Sequence, residues 1–248
     1  MSEPTGWRLF AHRSHDPDDA TLMAGGLIAL QRARAVDVHV LAIAEGDAAD
    51  ETADRETSAA QRRVEQMAAL EELGVGPDSV TRLAIRNGAA VDHVDEIADA
   101  IAAFDHVGLV VAPGTGDDQR DHEAVGVAAR SAVGRTGGDL VFGLFWMWHS
   151  RNPADLADEQ MVELQLDADA RRRRRRAIRC HRSQFFEHDG VPQLTPELVR
   201  PIGWQAEYFI SPLRSIDHPA IGAEVISMPI PASTSTRLDR WEAGTVLP

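Results

Sequence analysis

The chain has 248 residues, 44% hydrophobic and 26% charged, which suits one globular domain with a sizeable core. A formal net charge of −14 argues against non-specific attraction to nucleic acid or to a membrane surface, so neither is expected as a partner. The basic residues are all arginine, which excludes Schiff-base lysine chemistry, and the single cysteine, Cys180, excludes an internal disulfide framework.

No apolar run reaches the roughly 18 residues of a membrane span, and no charged-then-apolar signal segment opens the chain, so the expected location is the cytoplasm. The first apolar run, Trp7 to Ala11, reads as a strand. It empties into Ser14-His15-Asp16-Pro17-Asp18-Asp19-Ala20-Thr21, followed by Gly25-Gly26. Ala20 to Arg34 reads as a helix, with Asp18 and Asp19 at its start, where carboxylates suit the helix dipole. A cap needs one acidic residue, not three. Carboxylates this close repel unless a cation or a shared proton compensates them, so the cluster points to a metal.

Val36 to Ala44 alternates and then turns fully apolar, as a buried parallel strand would. Thr52 to Leu73 is a long amphipathic helix closed by Gly74. Val80 to Ile85 is a short strand, Asn87-Gly88 a turn and Val91 to Phe104 another helix. The strand Val107 to Pro113 leads into a second polar loop, Gly114 to His122, then the helix Glu123 to Arg135 and the strand Leu140 to Phe145. This β-α-β-α spacing predicts an α/β fold with a mostly parallel sheet flanked by helices.

Beyond Trp146 the pattern changes. Trp146-Met147-Trp148-His149 is an aromatic loop, Met161 to Leu166 a strand, and Asp167 to His181 a helix with six consecutive arginines, Arg171 to Arg176. Such a run usually means a solvated face or a disordered tail, but a helical period fits here, with Ala177, Ile178 and Cys180 as its buried members. The Pro-rich remainder reads as an irregular C-terminal extension wrapping a core of about residues 7 to 150, so the whole chain is expected to form one domain.

The two acidic loops can converge at one sheet edge, where ligands bind in open α/β folds. Asp16, Asp19 and His122 then make a three-ligand metal site with positions open to water, the usual plan of catalytic zinc. Asp18 is the candidate base for the water. Trp148 and His149, with Trp146, can line the mouth, where aromatic faces suit sugar rings, or plug the space under the C-terminal segment. Arg62 either reaches an anionic part of a substrate or lies on an exposed helix face.

These residues resemble a known family, the LmbE/PIG-L metal-dependent N-deacetylases. Its first segment, His-Pro-Asp-Asp-Glu-Thr-Leu before Gly-Gly, corresponds to Asp16 to Leu22 with Gly25-Gly26. Its Arg-x-x-Glu and Leu-Gly correspond to Arg62, Glu65 and Leu73-Gly74, and its Asp-Gly-His-Pro-Asp-His-Glu-Ala to Asp117 to Ala124. A Trp-x-Trp-His stretch and an Ala-x-x-x-His-x-Ser-Gln motif match Trp146 to His149 and Ala177, His181, Ser183 and Gln184.

The resemblance implies a Rossmann-like fold, a zinc cofactor and a small-molecule N-acyl substrate that contains a sugar. It makes Asp18 the general base, Asp19 and His122 metal ligands, and Asp121 a partner that orients an imidazole. Two positions depart from it. Asp16 stands where the family has its first histidine ligand, and His15 is the rival for that role. Gln119 stands where the family has a second loop histidine; it can donate a hydrogen bond to an oxyanion but cannot deliver a proton. A metabolite binder without hydrolytic activity, an enzyme of a different biosynthetic step, and a homo-oligomer all stay open.

Overall fold

The computed structural model describes residues 17–45, 55–104, 107–150, 160–185, 193–212 and 226–227. The first strand and first ligand position expected from the sequence, residues 7–11 and Asp16, lie outside them, as does His15. In chain order the elements are α1 (Asp19–Ala33), β1 (Val40–Ala44), α2 (Arg55–Leu73), β2 (Val80–Ile85), α3 (Val94–Ala102), β3 (Leu109–Pro113), α4 (Arg120–Thr136) and β4 (Asp139–Gly143). There follow α5 (Met147–Ser150), β5 (Gln160–Gln165), α6 (Ala168–Ile178), α7 (Arg182–Phe185), β6 (Ala206–Ser211) and β7 (Ile226–Ser227).

Strands β1 and β2 pair in parallel, and β3 and β4 do the same. Alternate strand residues point to opposite faces of a sheet. Val40, Leu109, Val111 and Val141 accordingly join a core with α1, α2 and α6. Leu41, Ile43, Val110, Ala112, Leu140 and Phe142 join a second core with α3 and α4. Covered on both faces, β1 and β3 are buried throughout, which is why they read as continuous apolar runs.

The C-terminal half adds antiparallel pairing. The five-stranded sheet runs β3-β4-β6-β5-β7, so β6 lies at its centre, antiparallel to both neighbours. This corrects the irregular reading of the Pro-rich remainder. Pro201 and Pro212 bracket the strand and suggest loop, and Glu207 breaks its apolar pattern. That glutamate is buried and paired with Arg174, the fourth residue of the arginine run, at 3.0 Å. The other arginines of the run lie on less buried faces of α6, where Arg172 and Arg173 pair with Asp169 and Arg176 with Glu72.

Helix α2 ends as expected at Gly74, whose φ of 89° suits a residue without Cβ. The Gly74 and Val75 amides donate back to Glu71 and Leu70, satisfying the last carbonyls of the helix. Helix α1 is interrupted in its middle. Ala24 leaves helical geometry at φ −143°, ψ 17°. Just beyond it, Gly26 and Leu27 give their amides to the Glu207 carboxylate at 2.7 and 2.8 Å, and Leu22 gives its carbonyl to Arg174 at 3.1 Å. No helix among the described residues is long and apolar enough to cross a membrane.

Candidate active site

Asp18 precedes α1, and its backbone carbonyl accepts from the Thr21 and Leu22 amides, which starts the helix. Its side chain makes no capping hydrogen bond and is fully buried. A carboxylate placed only to cap a helix would lie on its own backbone amides at the surface; Asp18 does neither.

Asp19 is equally buried. One carboxylate oxygen, Oδ1, accepts from the Trp146 indole at 2.7 Å. The other, Oδ2, faces His122 Nε2 at 3.7 Å. His122 lies in the first turn of α4, carried there by the loop after β3, and is wholly buried. Its Nδ1 is held by Asp117 Oδ2. The other oxygen of Asp117 accepts from the Gln119 amide at 3.0 Å, a turn closed within the loop. Burial opposes a charge on His122, but the carboxylates of Asp117 and Asp19 beside it outweigh that and raise its pKa above the ordinary histidine value.

The donor set fits a divalent metal. His122 Nε2 has no hydrogen-bond partner, though it is buried. Its Nδ1 is tied to a carboxylate, the arrangement that fixes the tautomer and orientation of metal-ligating histidines. Two tetrahedral zinc ligands at 2.0–2.2 Å stand about 3.4 Å apart, close to the 3.7 Å between Asp19 Oδ2 and His122 Nε2. Among the described residues no group of three such side chains comes together, and Asp16, expected as the third, lies outside them.

The remaining sequence candidates divide. Gln119, half-buried, immediately precedes α4 and begins the turn that holds His122. Asp121 does not hold the imidazole of His122: its Oδ2 accepts from the Gly88 amide at 2.7 Å, tying α4 to the turn after β2, and the carboxylate on His122 belongs to Asp117. Arg62 is buried, which corrects the exposed-helix alternative, and donates to Gln193 at 2.8 Å. Trp148 packs edge-on against Trp204 and Tyr208 at 5.6 and 5.7 Å. These rings line a small open cleft backed by Arg174 and Glu207. His149 is exposed, with its ring 5.3 Å from Phe145 and 6.4 Å from Trp146.

Two contacts were not foreseen from the sequence. Asp117 is one of three aspartates in the second loop, and spacing alone does not say which meets His122. The Trp146 indole had a usable signal: a buried Trp N–H needs an acceptor, and Asp19 is one.

A family described as PIG-L, GlcNAc-PI de-N-acetylase, matches residues 9–133. None of the curated proteins matches the chain in sequence. Solved structures do resemble it in fold. The A40926 pseudoaglycone deacetylase Dbv21 superposes with a TM-score of 0.64 at 22% identity, covering 84% of this chain and 97% of its own. The zinc-inhibited form of the teicoplanin deacetylase Orf2 gives 0.59 at 21% identity, covering 85% and 99%. The N,N'-diacetylchitobiose deacetylase from Pyrococcus horikoshii gives 0.59 at 20% identity, covering 83% and 84%.

Proposed function

The chain belongs to the PIG-L, GlcNAc-PI de-N-acetylase, family, and from that premise we propose that it is a hydrolase removing an N-acyl group from an amino sugar or a related sugar-containing metabolite. The observation that carries the reading is the buried Asp19–His122 pair, with His122 Nε2 lacking a hydrogen-bond partner and facing Asp19 Oδ2, and with Asp18 fully buried immediately before Asp19 in the chain.

Asp19 and His122, with Asp16 or His15 as third ligand, would hold the divalent ion, read here as zinc. When bound, such an ion supplies a Lewis acid that acidifies water and polarises the carbonyl under attack. The protein groups do the rest. Asp18 takes one proton from the attacking water as its oxygen bonds to the acyl carbon. The Gln119 side-chain amide N–H donates to the developing oxyanion. Asp18 then returns the proton to the nitrogen as the carbon–nitrogen bond breaks, leaving a carboxylic acid and a free amine. Asp117 and Trp146 keep His122 and Asp19 oriented throughout. Trp148, His149 and Arg62 are the proposed substrate contacts; deacetylases of similar fold are named for A40926 pseudoaglycone and for N,N'-diacetylchitobiose.

Gln119 favours a second reading, because a loop without the family's second histidine has lost one proton donor. In that reading the protein binds the metabolite, or performs another step on it, without deacetylation. The test is release of acetate from N-acetylglucosamine conjugates by zinc-loaded protein, with Asp18→Ala as control. The hydrolase reading expects activity in the wild type and a loss of about 10²–10⁴-fold in the variant, with stoichiometric zinc in both. Undiminished activity in the variant refutes the mechanism. Zinc binding without turnover on any N-acyl sugar favours the binder.

A further inference from the structure

In an unbroken α-helix the amide of residue i donates to the carbonyl of residue i−4, so the Gly26 amide belongs to the Leu22 carbonyl. In α1 side chains engage both ends of that rung. The Gly26 amide goes to Glu207 Oε1 at 2.7 Å, and the Leu22 carbonyl goes to Arg174 Nη2 at 3.1 Å. Glu207 Oε1 and Arg174 Nε are themselves 3.0 Å apart. A buried ion pair engages one rung of the helix, at the point where Ala24 leaves helical geometry. Side chains that enter the hydrogen-bond ladder are a recognised cause of helix kinks.

The Gly25-Gly26 signature has its physical reason here. A Cβ on Gly26 would stand 2.4 and 2.6 Å from the two methyls of Leu166 and 3.0 Å from the Glu207 carboxyl carbon; one on Gly25 would stand 3.2 Å from Arg174 Cγ. Glycine at these positions leaves the room in which Leu166 packs and the pair reaches the backbone.

We propose that Arg174 and Glu207 are positioning residues for the active site: engaging the Leu22 carbonyl and the Gly26 amide, they hold the break in α1 that sets Asp19 against His122. The inference rests on the proposed metal centre. The lever is the first segment of α1, about five residues or roughly 7.5 Å long. Removing a kink of about 20° swings its far end by roughly 2.5 Å. That displacement exceeds a whole zinc–ligand bond of about 2.0–2.2 Å.

The decisive variant is Arg174→Met combined with Glu207→Leu. Replacing a buried ion pair by apolar side chains is often neutral or stabilising, and it leaves the Gly26 amide and the Leu22 carbonyl of α1 to each other. A residue pair that only stabilises the fold leaves the site intact once the fold is stable. A positioning pair does not. The expected result is a melting temperature at or above that of the wild type, zinc affinity about 10–100-fold weaker by chelator competition with the metal alone, and a lower kcat at unchanged KM. Glu207→Gln keeps an oxygen for the Gly26 amide and should recover part of the loss relative to Glu207→Leu alone. If the double variant does not fold, Glu207→Gln carries the test, read below its melting temperature. A folded double variant, or Glu207→Gln in its place, with wild-type zinc affinity and kcat overturns the positioning role alone. Wild-type protein that takes up no zinc overturns the proposed metal centre beneath it.

Discussion

Taking the pH from about 7.5 to about 5 offers His181 a proton that the folded chain does not accept. The ring is fully buried, its Nε2 lies 3.2 Å from the Thr21 hydroxyl, and its Nδ1 has no hydrogen-bond partner. Burial, together with the nearby charge of Arg62, lowers its pKa from 6.5 to about 3. In the unfolded chain the ordinary value returns. The stability this group contributes is therefore complete above pH 6.5 and declines as the pH falls toward 3, because only the unfolded chain binds the proton in that window. Each pH unit within it costs about 1.4 kcal/mol, so the loss is about 2 kcal/mol at pH 5 and about 5 kcal/mol at the lower limit. Urea denaturation of the wild type and of His181→Gln at several pH values isolates the contribution, since the other titrating groups are common to both. Near pH 7.5 the variant is the less stable, by about 1 kcal/mol for the lost Thr21 bond. By pH 5 the gap closes and reverses. Two curves that stay parallel from pH 7.5 to 5 would refute a neutral, proton-excluding His181.

Trp146→Phe keeps most of the ring packing but removes the indole donor on Asp19; zinc affinity measured by chelator competition falls by about 10–100-fold. Asp117→Asn leaves His122 without its carboxylate and produces a loss of the same order, whereas Asp121→Asn, whose carboxylate faces the Gly88 amide, leaves zinc affinity within about two-fold of wild type. Gly26→Ala forces a methyl into Leu166 and lowers unfolding free energy by about 1–3 kcal/mol in a denaturant titration.

The sequence carried the N-terminal half of the fold well because its strands are buried on both faces and its helices are punctuated by glycine. Val80–Ile85 and the stop at Gly74 are found where the residues put them, and β3 and α4 differ only at their ends. Reading failed at β6, whose central position rests on a buried glutamate. Its partners, Arg174 and the Gly26 and Leu27 amides, are far away in sequence, so no local pattern reports that the charge is satisfied. The candidate site divides in the same way. Asp19 and His122 were legible as acidic and imidazole groups at two strand ends, and they do face each other. Which aspartate holds His122 was not legible, because Asp117 and Asp121 lie close together in sequence, and only the turn before α4 selects between them.

The central place of β6 has a consequence for how the chain comes to be active. Synthesis begins at the N-terminus, so α1, β1 and β3 are available for packing long before residue 206 has been made. Until then the carboxylate between Gly26 and Leu22 does not exist, and the helix is free to close its own rung. A fragment limited to residues 9–133 contains both acidic loops yet lacks β4, β5, β6 and the arginine helix. It would hold the residues of the site without the means of aiming them. Chain segments that pair late and over long sequence distances are also the slow ones in folding. On the proposed positioning role, the final angle of the Asp18 and Asp19 carboxylates is thus among the last features the nascent chain acquires.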